Sequence, residues 1–477
     1  MNKPSAPLAD VSLNQLSEKL CSAVARAGWT DLMPVQARAI PYLLAGRNMM
    51  IQARTGSGKT AAFLLPMLER LDPTKNHCQA LILTPTRELA RQVWQEAERL
   101  FAGTGLRSVA VYGGVGYGPQ REAFRQGVQI VVGTPGRVLD HLLSKTLSLQ
   151  QLTMLVFDEA DRMLSMGFYP DMKKLQRFLP DRSIHGCMFS ATFPSQVLHV
   201  AQEFLHEPEF LSLSQDHVHV TETEHVYYIV SGMEKDRSLI RIIEIENPSS
   251  TIIFCNTKVQ VHFVAVVLQH YGYDADELTS DLSQSAREQV MERIRKGQLR
   301  FLVATDVAAR GIDLPALSHV IQYEPPEDFE AYIHRAGRTS RAGASGVAIS
   351  LVSQLELFSL NRIARRYEIE LIERPLPADA DVQAVVSERV IALLEARLRD
   401  RDRAVIERSR RFIPLGQSLA QNEDESAIIA MLLDDYYQQT LHAPAITPVE
   451  KTEEKPKKPG NRKGDRRGRR GSKRSKS

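Results

Sequence analysis

Two short runs in this 477-residue chain have residue types and spacing suited to phosphate chemistry: Ala53-Arg54-Thr55-Gly56-Ser57-Gly58-Lys59-Thr60 and, further on, Asp158-Glu159-Ala160-Asp161. Residues 48–52 are mostly apolar and predict a buried strand, and 60–71 have the apolar spacing of a helix. The glycines therefore fall at a strand-to-helix turn. There, backbone N–H groups and a helix N-terminus can wrap phosphate oxygens that a Cβ at Gly56 or Gly58 would obstruct. Lys59 is placed to reach the β- and γ-phosphates of a nucleotide, and Thr60 to hold Mg²⁺. Ala53 stands where a phosphate loop usually begins with Gly. In the second run, the apolar residues 154–157 predict a strand delivering Asp158 and Glu159 to the C-terminal edge of a sheet, where ligands bind in open α/β folds. Asp158 then suits orientation of Mg²⁺, and Glu159 suits positioning and deprotonating an attacking water. Together the two runs predict hydrolysis of ATP.

Such residues need a sheet to hold them. Apolar runs recur at 80–83, 109–112, 129–132, 154–157 and 187–189, each followed by a polar or Gly-rich segment. Their alternation with helical stretches predicts a parallel sheet flanked by helices. After a His- and Thr-rich segment, 214–224, the pattern restarts at 251–254, 301–304 and 319–323, so two consecutive α/β domains are expected. The second lacks a phosphate loop but carries His334-Arg335-Ala336-Gly337-Arg338-Thr339-Ser340-Arg341-Ala342-Gly343. Arg338 and Arg341 are three apart, so a helical turn would present both guanidinium groups on one face. If the domains close face to face, both arginines reach the γ-phosphate held by Lys59 and act as arginine fingers.

Composition bounds the rest. A length of 477 residues, 43% of them apolar, is enough for two or three packed domains. No apolar run approaches a membrane span, and residues 1–10 lack the layout of a signal peptide, so a cytoplasmic protein without membrane partners is expected. Cys21, Cys78, Cys187 and Cys255 show no paired spacing and are expected as small buried apolar residues rather than a zinc or disulfide framework. His217, His219 and His225 read as exposed linker polarity rather than a metal site. The net charge of +3 hides an asymmetry: residues 455–477 hold 12 Lys/Arg and one acid, which leaves −8 on the 454 residues before them. Without aromatic or large aliphatic residues this tail cannot bury a core. It is expected to be disordered and to hold a polyanion by counterion release.

Further runs occur in a characteristic order: Pro85-Thr86-Arg87-Glu88-Leu89-Ala90, Gly113-Gly114, Thr134-Pro135-Gly136-Arg137, Ser190-Ala191-Thr192 and Ala304-Thr305-Asp306-Val307-Ala308-Ala309-Arg310-Gly311-Ile312-Asp313. With the first two runs, these resemble the DEAD-box family of ATP-dependent RNA helicases, of bacterial type, over residues 11–375. The resemblance implies two tandem RecA-like parallel-sheet domains of the α/β class, then a small helical extension and the tail. The implied division is an adenine-reading segment at 1–38, an ATP-binding domain at 39–213, a linker at 214–224, a helicase C-terminal domain at 225–375, the extension at 376–443 and the basic tail at 444–477.

The resemblance also implies ATP and Mg²⁺ as cofactors and RNA as the partner. Gln36 looks like the adenine reader, its amide able both to accept and to donate, and Asp313 matches the ribose contact. Pro85, Thr86, Arg87, Gly113, Gly114, Thr134, Gly136, Arg137, Thr305 and Gly311 match segments lining the RNA groove, where contacts position the strand without reading bases. Ser190, Thr192, Asp161, His334 and Arg335 match residues coupling nucleotide state to strand separation. The chain departs from the family pattern at Val11, where an aromatic residue usually stacks on adenine, and at Met33, Thr279-Ser280 and Ser340.

Beyond the core, Val382, Val386, Val390, Leu393, Leu394 and Leu398 form a helical stripe, and Ile428, Ile429, Leu432, Leu433, Tyr436 and Tyr437 form a second. The layout is similar to the extension that dimerises some bacterial cold-shock members, and two readings stand: a homodimer through 376–443, or packing on the second domain. For function, the leading expectation is an RNA-dependent ATPase that clamps single-stranded RNA and unwinds short duplexes or remodels RNA–protein complexes. The rival is an ATP-timed RNA clamp or annealing chaperone.

Overall fold

Among the described residues, fourteen strands form two sheets. In the first, β1 (Met49–Gln52), β2 (Ala80–Leu83), β3 (Ser108–Val111), β4 (Ile130–Gly133), β5 (Met154–Phe157), β6 (His185–Ser190) and β7 (Glu209–Ser212) lie in the order β3-β4-β2-β5-β6-β1-β7. In the second, β8 (Thr223–Ile229), β9 (Thr251–Phe254), β10 (Ala275–Leu278), β11 (Phe301–Ala304), β12 (His319–Gln322), β13 (Gly346–Val352) and β14 (Leu371–Glu373) lie in the order β10-β11-β9-β12-β13-β8-β14. All pairings are parallel. Counted from β8, the second order repeats the first strand for strand. The computed structural model describes residues 4, 6–53, 57–212, 223–309, 317–326, 328–339 and 345–441.

Helices cover both faces of each sheet, so the central strands are near-continuous apolar runs rather than alternating ones. Every residue of β2, β4, β5, β9 and β11 is buried. The two-residue period then divides side chains between two cores: Ile82 and Val156 join one, and Leu81, Leu83 and Phe157 the other. The edge strands β3, β7, β10 and β14 are only partly buried. Three of these, β7, β10 and β14, carry too many polar residues to stand out as apolar runs. The sequence reading also left out β13, although all seven of its residues are buried; Gly346, Ala348 and Ser350 dilute its apolar signal.

Two expectations about the segment between the sheets are corrected. Thr223 and Glu224 belong to β8 rather than to a linker, and residues 213–222, with His217 and His219, lie outside the described residues. His225 is not exposed linker polarity but 2% exposed, its Nδ1 2.9 Å from the Tyr332 hydroxyl. Sheet pairing with β13 pulls this polar-looking strand inside. Of the cysteines, Cys78, Cys187 and Cys255 are buried, while Cys21 is only half-buried and donates to the Leu13 carbonyl at 3.2 Å.

The extension forms helices, among them Asp379–Arg399, Ile413–Gln421 and Glu423–Leu441. The first stripe is not continuous: Val390 is buried, but Leu398 is 53% exposed. In the last helix Tyr437 is buried, whereas Ile428, Leu432 and Leu433 are exposed. Residues 442–477, including the basic tail, lie outside the described residues. Among the described residues no helix is long and apolar enough to cross a membrane.

Candidate nucleotide site and nucleic-acid face

Strand register decides which loops meet. β1 and β5 both flank β6, with Gln52 opposite Ser190 and Phe157 opposite Met188. The chains leaving β1, β5 and β6 therefore emerge side by side at one C-terminal edge, bringing Ala53, Asp158 and Ala191 together. The Ala53 N–H donates to the Ser190 carbonyl at 3.0 Å, tying the start of the phosphate loop to β6. Arg54, Thr55 and Gly56 lie outside the described residues, and Ser57 and Thr60 are half-buried. Gly58 caps the helix Lys59–Arg70 at φ 88°, in the left-handed region. A Cβ there would stand 2.5 Å from Met33 Sδ and 2.6 Å from Gln36 Nε2. The left-handed backbone favours glycine there, and a Cβ would have to push the ends of the Met33 and Gln36 side chains aside.

Gln36 is 4% exposed. Its Nε2 donates to the Gly58 carbonyl at 3.1 Å and its Oε1 accepts the Met33 N–H at 2.9 Å. One amide N–H and one oxygen lone pair remain for a base edge. Val11, at the departure from the family pattern, is partly buried against the core and donates its N–H to the Ala37 carbonyl at 2.9 Å.

Lys59 is 6% exposed and Asp158 2%, yet Lys59 Nζ and Asp158 Oδ1 have no hydrogen-bond partner among the described residues. Burial pushes the Asp158 carboxyl up to about 6; Lys59 opposes the shift and Glu159 adds to it. Glu159 sits at φ 54°, a left-handed conformation that costs a non-glycine residue about 1–3 kcal/mol and clusters at functional sites. This turn starts the helix Ala160–Ser165, and Glu159 pairs with Arg162 at 3.5 Å. One residue on, Asp161 joins β5 to β6: its N–H donates to Ser190 Oγ at 3.2 Å, and its Oδ2 accepts from the Thr192 N–H at 3.0 Å and the Thr192 hydroxyl at 3.1 Å. Ser190 Oγ donates in turn to the Thr192 carbonyl at 2.7 Å.

A cavity of about 780 Å³ opens from this edge, lined by Lys59, Glu159 and Thr192 on one side and by Glu246, Asn247 and His319 of the second unit on the other. In the second unit Arg335 is 1% exposed. Its Nε and Nη2 donate to Asp306 at 2.8 and 2.7 Å, Nη1 to the Glu324 carbonyl at 2.7 Å, and Nη2 also to Asn256 Oδ1 at 2.8 Å. Sequence reasoning missed Asn256; its position two residues after β9, in the turn leaving a strand's C-terminal end, was the available signal. His334 is exposed and lines a small recess with Arg335, Arg338, Asp306 and Phe254. The helix Phe329–Ala336 stops at Gly337, and the expected shared face of Arg338 and Arg341 falls partly outside the described residues. Arg338 follows in a turn, and Arg341 lies outside the described residues, as do Gly311 and Asp313. Thr305 is 8% exposed and accepts the Ala308 N–H at 3.4 Å.

The remaining site residues cluster on the other half of the first sheet's C-terminal edge, after the neighbouring strands β2, β4 and β3. Pro85 and Thr86 are buried, and Thr86 Oγ1 caps the helix Arg87–Phe101 by accepting the Leu89 N–H at 3.1 Å. Arg87 lies over Gly114, which has φ 79°, so close that a Cβ there would clash with the guanidinium. Thr134 precedes the helix Pro135–Leu143, in which Gly136 is buried. Arg137, 5% exposed, donates to the Val115 carbonyl at 3.1 Å and stacks 4.0 Å over the Tyr117 ring. The two clusters thus flank β5 on a single sheet edge.

Comparison with known proteins agrees with this layout. A DEAD/DEAH box helicase family model matches residues 33–200, and a helicase conserved C-terminal domain model matches residues 234–343. The RNA helicase CrhR of Synechocystis sp. is 40% identical over 89% of this chain and 85% of its own length. CshA of Listeria monocytogenes, an ATP-dependent RNA helicase, is 36% identical over 92% of this chain and 83% of its own. DeaD of Escherichia coli, likewise an ATP-dependent RNA helicase, is 38% identical over 92% of this chain and 70% of its own. With two like-ordered parallel sheets carrying its motif residues on their strand ends, this chain belongs to the DEAD-box family of ATP-dependent RNA helicases.

Proposed function

We propose that this chain hydrolyses ATP at the edge formed by β1, β5 and β6 and uses the cycle to separate short RNA duplexes held at the edge formed by β2, β3 and β4. The observation carrying this reading is the pair of buried polar atoms without hydrogen-bond partners among the described residues, Lys59 Nζ and Asp158 Oδ1. An uncompensated buried charge is costly, and phosphate oxygens and a metal aquo shell are the partners that these two groups fit. Gln36 reads the base, Ala53 to Thr60 wrap the phosphates, and Asp313 holds the ribose. Thr60 and Asp158 would hold Mg²⁺, which when bound neutralises phosphate charge and aligns the γ-phosphate. Glu159 takes the proton of the attacking water. Arg338 and Arg341 complete the site when the units close.

RNA lies along Pro85, Thr86, Arg87, Gly113, Gly114, Thr134, Gly136 and Arg137 of the first unit and Thr305 and Gly311 of the second. Glycines and threonines there let backbone N–H groups approach phosphates and 2′-hydroxyls without reading sequence. Asp161, Ser190 and Thr192, together with His334 and Arg335 of the second unit, relay nucleotide state to this face; the hydrogen bonds joining Asp161 to the turn after β6 support that role. Separating about six base pairs at roughly 1.4 kcal/mol per step, the DNA mean, costs about 8 kcal/mol, so short duplexes are within reach of local opening. The basic tail adds nonspecific RNA affinity in the cytoplasm. The exposed row Ile428, Leu432 and Leu433 supports a homodimer through the last extension helix.

The test compares ATP turnover alone, with single-stranded RNA and with DNA of the same sequence, and repeats duplex separation with Glu159→Gln. Stimulation by RNA only, and a loss of at least about 100-fold in turnover together with unwinding in the variant, are expected for a general base. Strand separation that survives in Glu159→Gln would instead establish the ATP-timed clamp or annealing chaperone.

A further inference from the structure

The extension helix Asp379–Arg399 is a strut between the two units. Toward its middle, Arg389 is 2% exposed and donates to the Tyr437 hydroxyl at 2.7 Å and to the Glu244 carbonyl of the second unit at 2.9 Å. Three residues on, Ala392 joins the apolar core of the first unit with Val138, Met163 and Met172, and Leu393 lies over Gly167. The last turn then crosses the proposed RNA face. Glu395 stands 4.0 Å from Arg87, and a Cβ at Gly113 would meet Glu395 Oε1 at 2.8 Å. Arg399 pairs with Asp171 at 2.5 Å and with Asp140 at 3.4 Å, and its Nη2 would be 2.7 Å from a Cβ at Gly136. Lys174 pairs with Asp400 just beyond.

A helix with its side chains is about 10–12 Å across, so it cannot share Gly113, Gly136 and Arg87 with a sugar–phosphate strand. The Glu395 carboxylate meets Arg87 where the proposed RNA face would offer that guanidinium a phosphate. We propose that the helix Asp379–Arg399 is an intramolecular competitor of RNA: docked, it closes the first unit's RNA face and ties the two units at a fixed separation, and RNA binds only once its C-terminal half has lifted away. This inference rests on the RNA face proposed above. When the binding-competent state is only a fraction of the population, apparent affinity is reduced by that fraction, so undocking the helix tightens RNA binding without any new contact.

The test measures the affinity of full-length protein for a labelled single-stranded RNA by fluorescence anisotropy, for wild type, Arg399→Glu and Leu393→Asp. Both substitutions add negative charge, which by itself weakens RNA binding; release of the helix is expected to tighten it at least about threefold. An unchanged or weaker affinity in folded variants overturns the inference. If the variants do not fold, Lys174→Cys with Asp400→Cys, bridged by a cleavable bis-maleimide, supplies the opposite arm. The bridge is expected to abolish RNA stimulation of the ATPase and cleavage to restore it; equal stimulation before and after cleavage overturns the inference. Arg87→Ala in the Arg399→Glu background separates the two layers. Undiminished RNA binding there removes the RNA face and this inference with it, whereas lost binding alongside an unchanged Arg399→Glu affinity removes the strut inference alone.

Discussion

Replacing Asp158 by Asn is expected to stabilise the nucleotide-free protein while abolishing its activity. In the folded chain the carboxyl titrates at about 6, against 3.8 when unperturbed, and burial is the leading cause. The folded state therefore holds its proton more tightly than the unfolded state, and stability falls as pH rises from about 4 through about 6. Above that window the native state bears the whole cost of a charged, buried carboxylate, about 3 kcal/mol for a shift of about two pH units. An Asn amide of the same shape removes the charge but still has to be desolvated, at about 1–2 kcal/mol, leaving a net gain of about 1–2 kcal/mol. At about 2–4 °C per kcal/mol for a unit of this size, Tm at pH 7.5 should rise by roughly 4 °C. The assay is thermal unfolding of wild type and Asp158→Asn without nucleotide at pH 7.5 and pH 5, with ATP turnover measured alongside. At pH 5 much of the wild-type carboxyl has recovered its proton and the cost of its charge falls by about half, so once the about 1–2 kcal/mol for the amide is subtracted the gain should fall to near zero. A variant destabilised at pH 7.5, or a gain of equal size at both pH values, would refute the account of Asp158 as a strained charge held for a ligand.

Four further outcomes are expected. Arg335→Ala should destabilise the second unit by about 3 kcal/mol, the low end for breaking a buried pair because Asp306 keeps 31% of its side chain exposed; chemical denaturation reads this, and Arg335→Lys should recover only part. Asp161→Ala removes the acceptor of both Thr192 bonds, so duplex unwinding should fall more than RNA-stimulated ATP turnover, and equal losses would contradict a coupling role. Deleting residues 455–477 should weaken RNA binding and flatten its dependence on salt, since it removes a segment of net charge +11, with ATP turnover in the absence of RNA unchanged. Charging Leu432 and Leu433 together should convert a dimer to a monomer in sedimentation; a wild type already monomeric at micromolar concentration sinks the dimer.

Short-range features were legible because they depend on a few neighbouring residues. A strand ending in Phe157 followed by two acids, or a Gly-Lys-Thr turn opening a helix, needs only local pattern and local geometry. The edge strands β7, β10 and β14 escaped because half their surface faces solvent, so their residues need not be apolar. The extension's first stripe shows the limit of periodicity: Val390 is buried but Leu398, on the same predicted face, is 53% exposed, because the period says nothing of what each turn packs against. His225 shows the same limit for polarity, since its burial comes from pairing with β13, more than 100 residues away.

The sequence by itself therefore determined the class of the protein, its two-unit plan and the residue types at the phosphate end of the site, because each is written in contiguous residues. Tertiary structure alone decided that β6 lies between β1 and β5, so that Ser190 and Thr192 bond to Asp161. It also decided that Lys59 Nζ and Asp158 Oδ1 are buried without a hydrogen-bond partner among the described residues, and that Glu395 and Arg399 come to rest on Arg87, Gly113 and Gly136. These contacts join residues tens to hundreds of positions apart. What makes them is the order of strands in a sheet and the path of a helix across two units, and neither leaves a periodic trace along the chain.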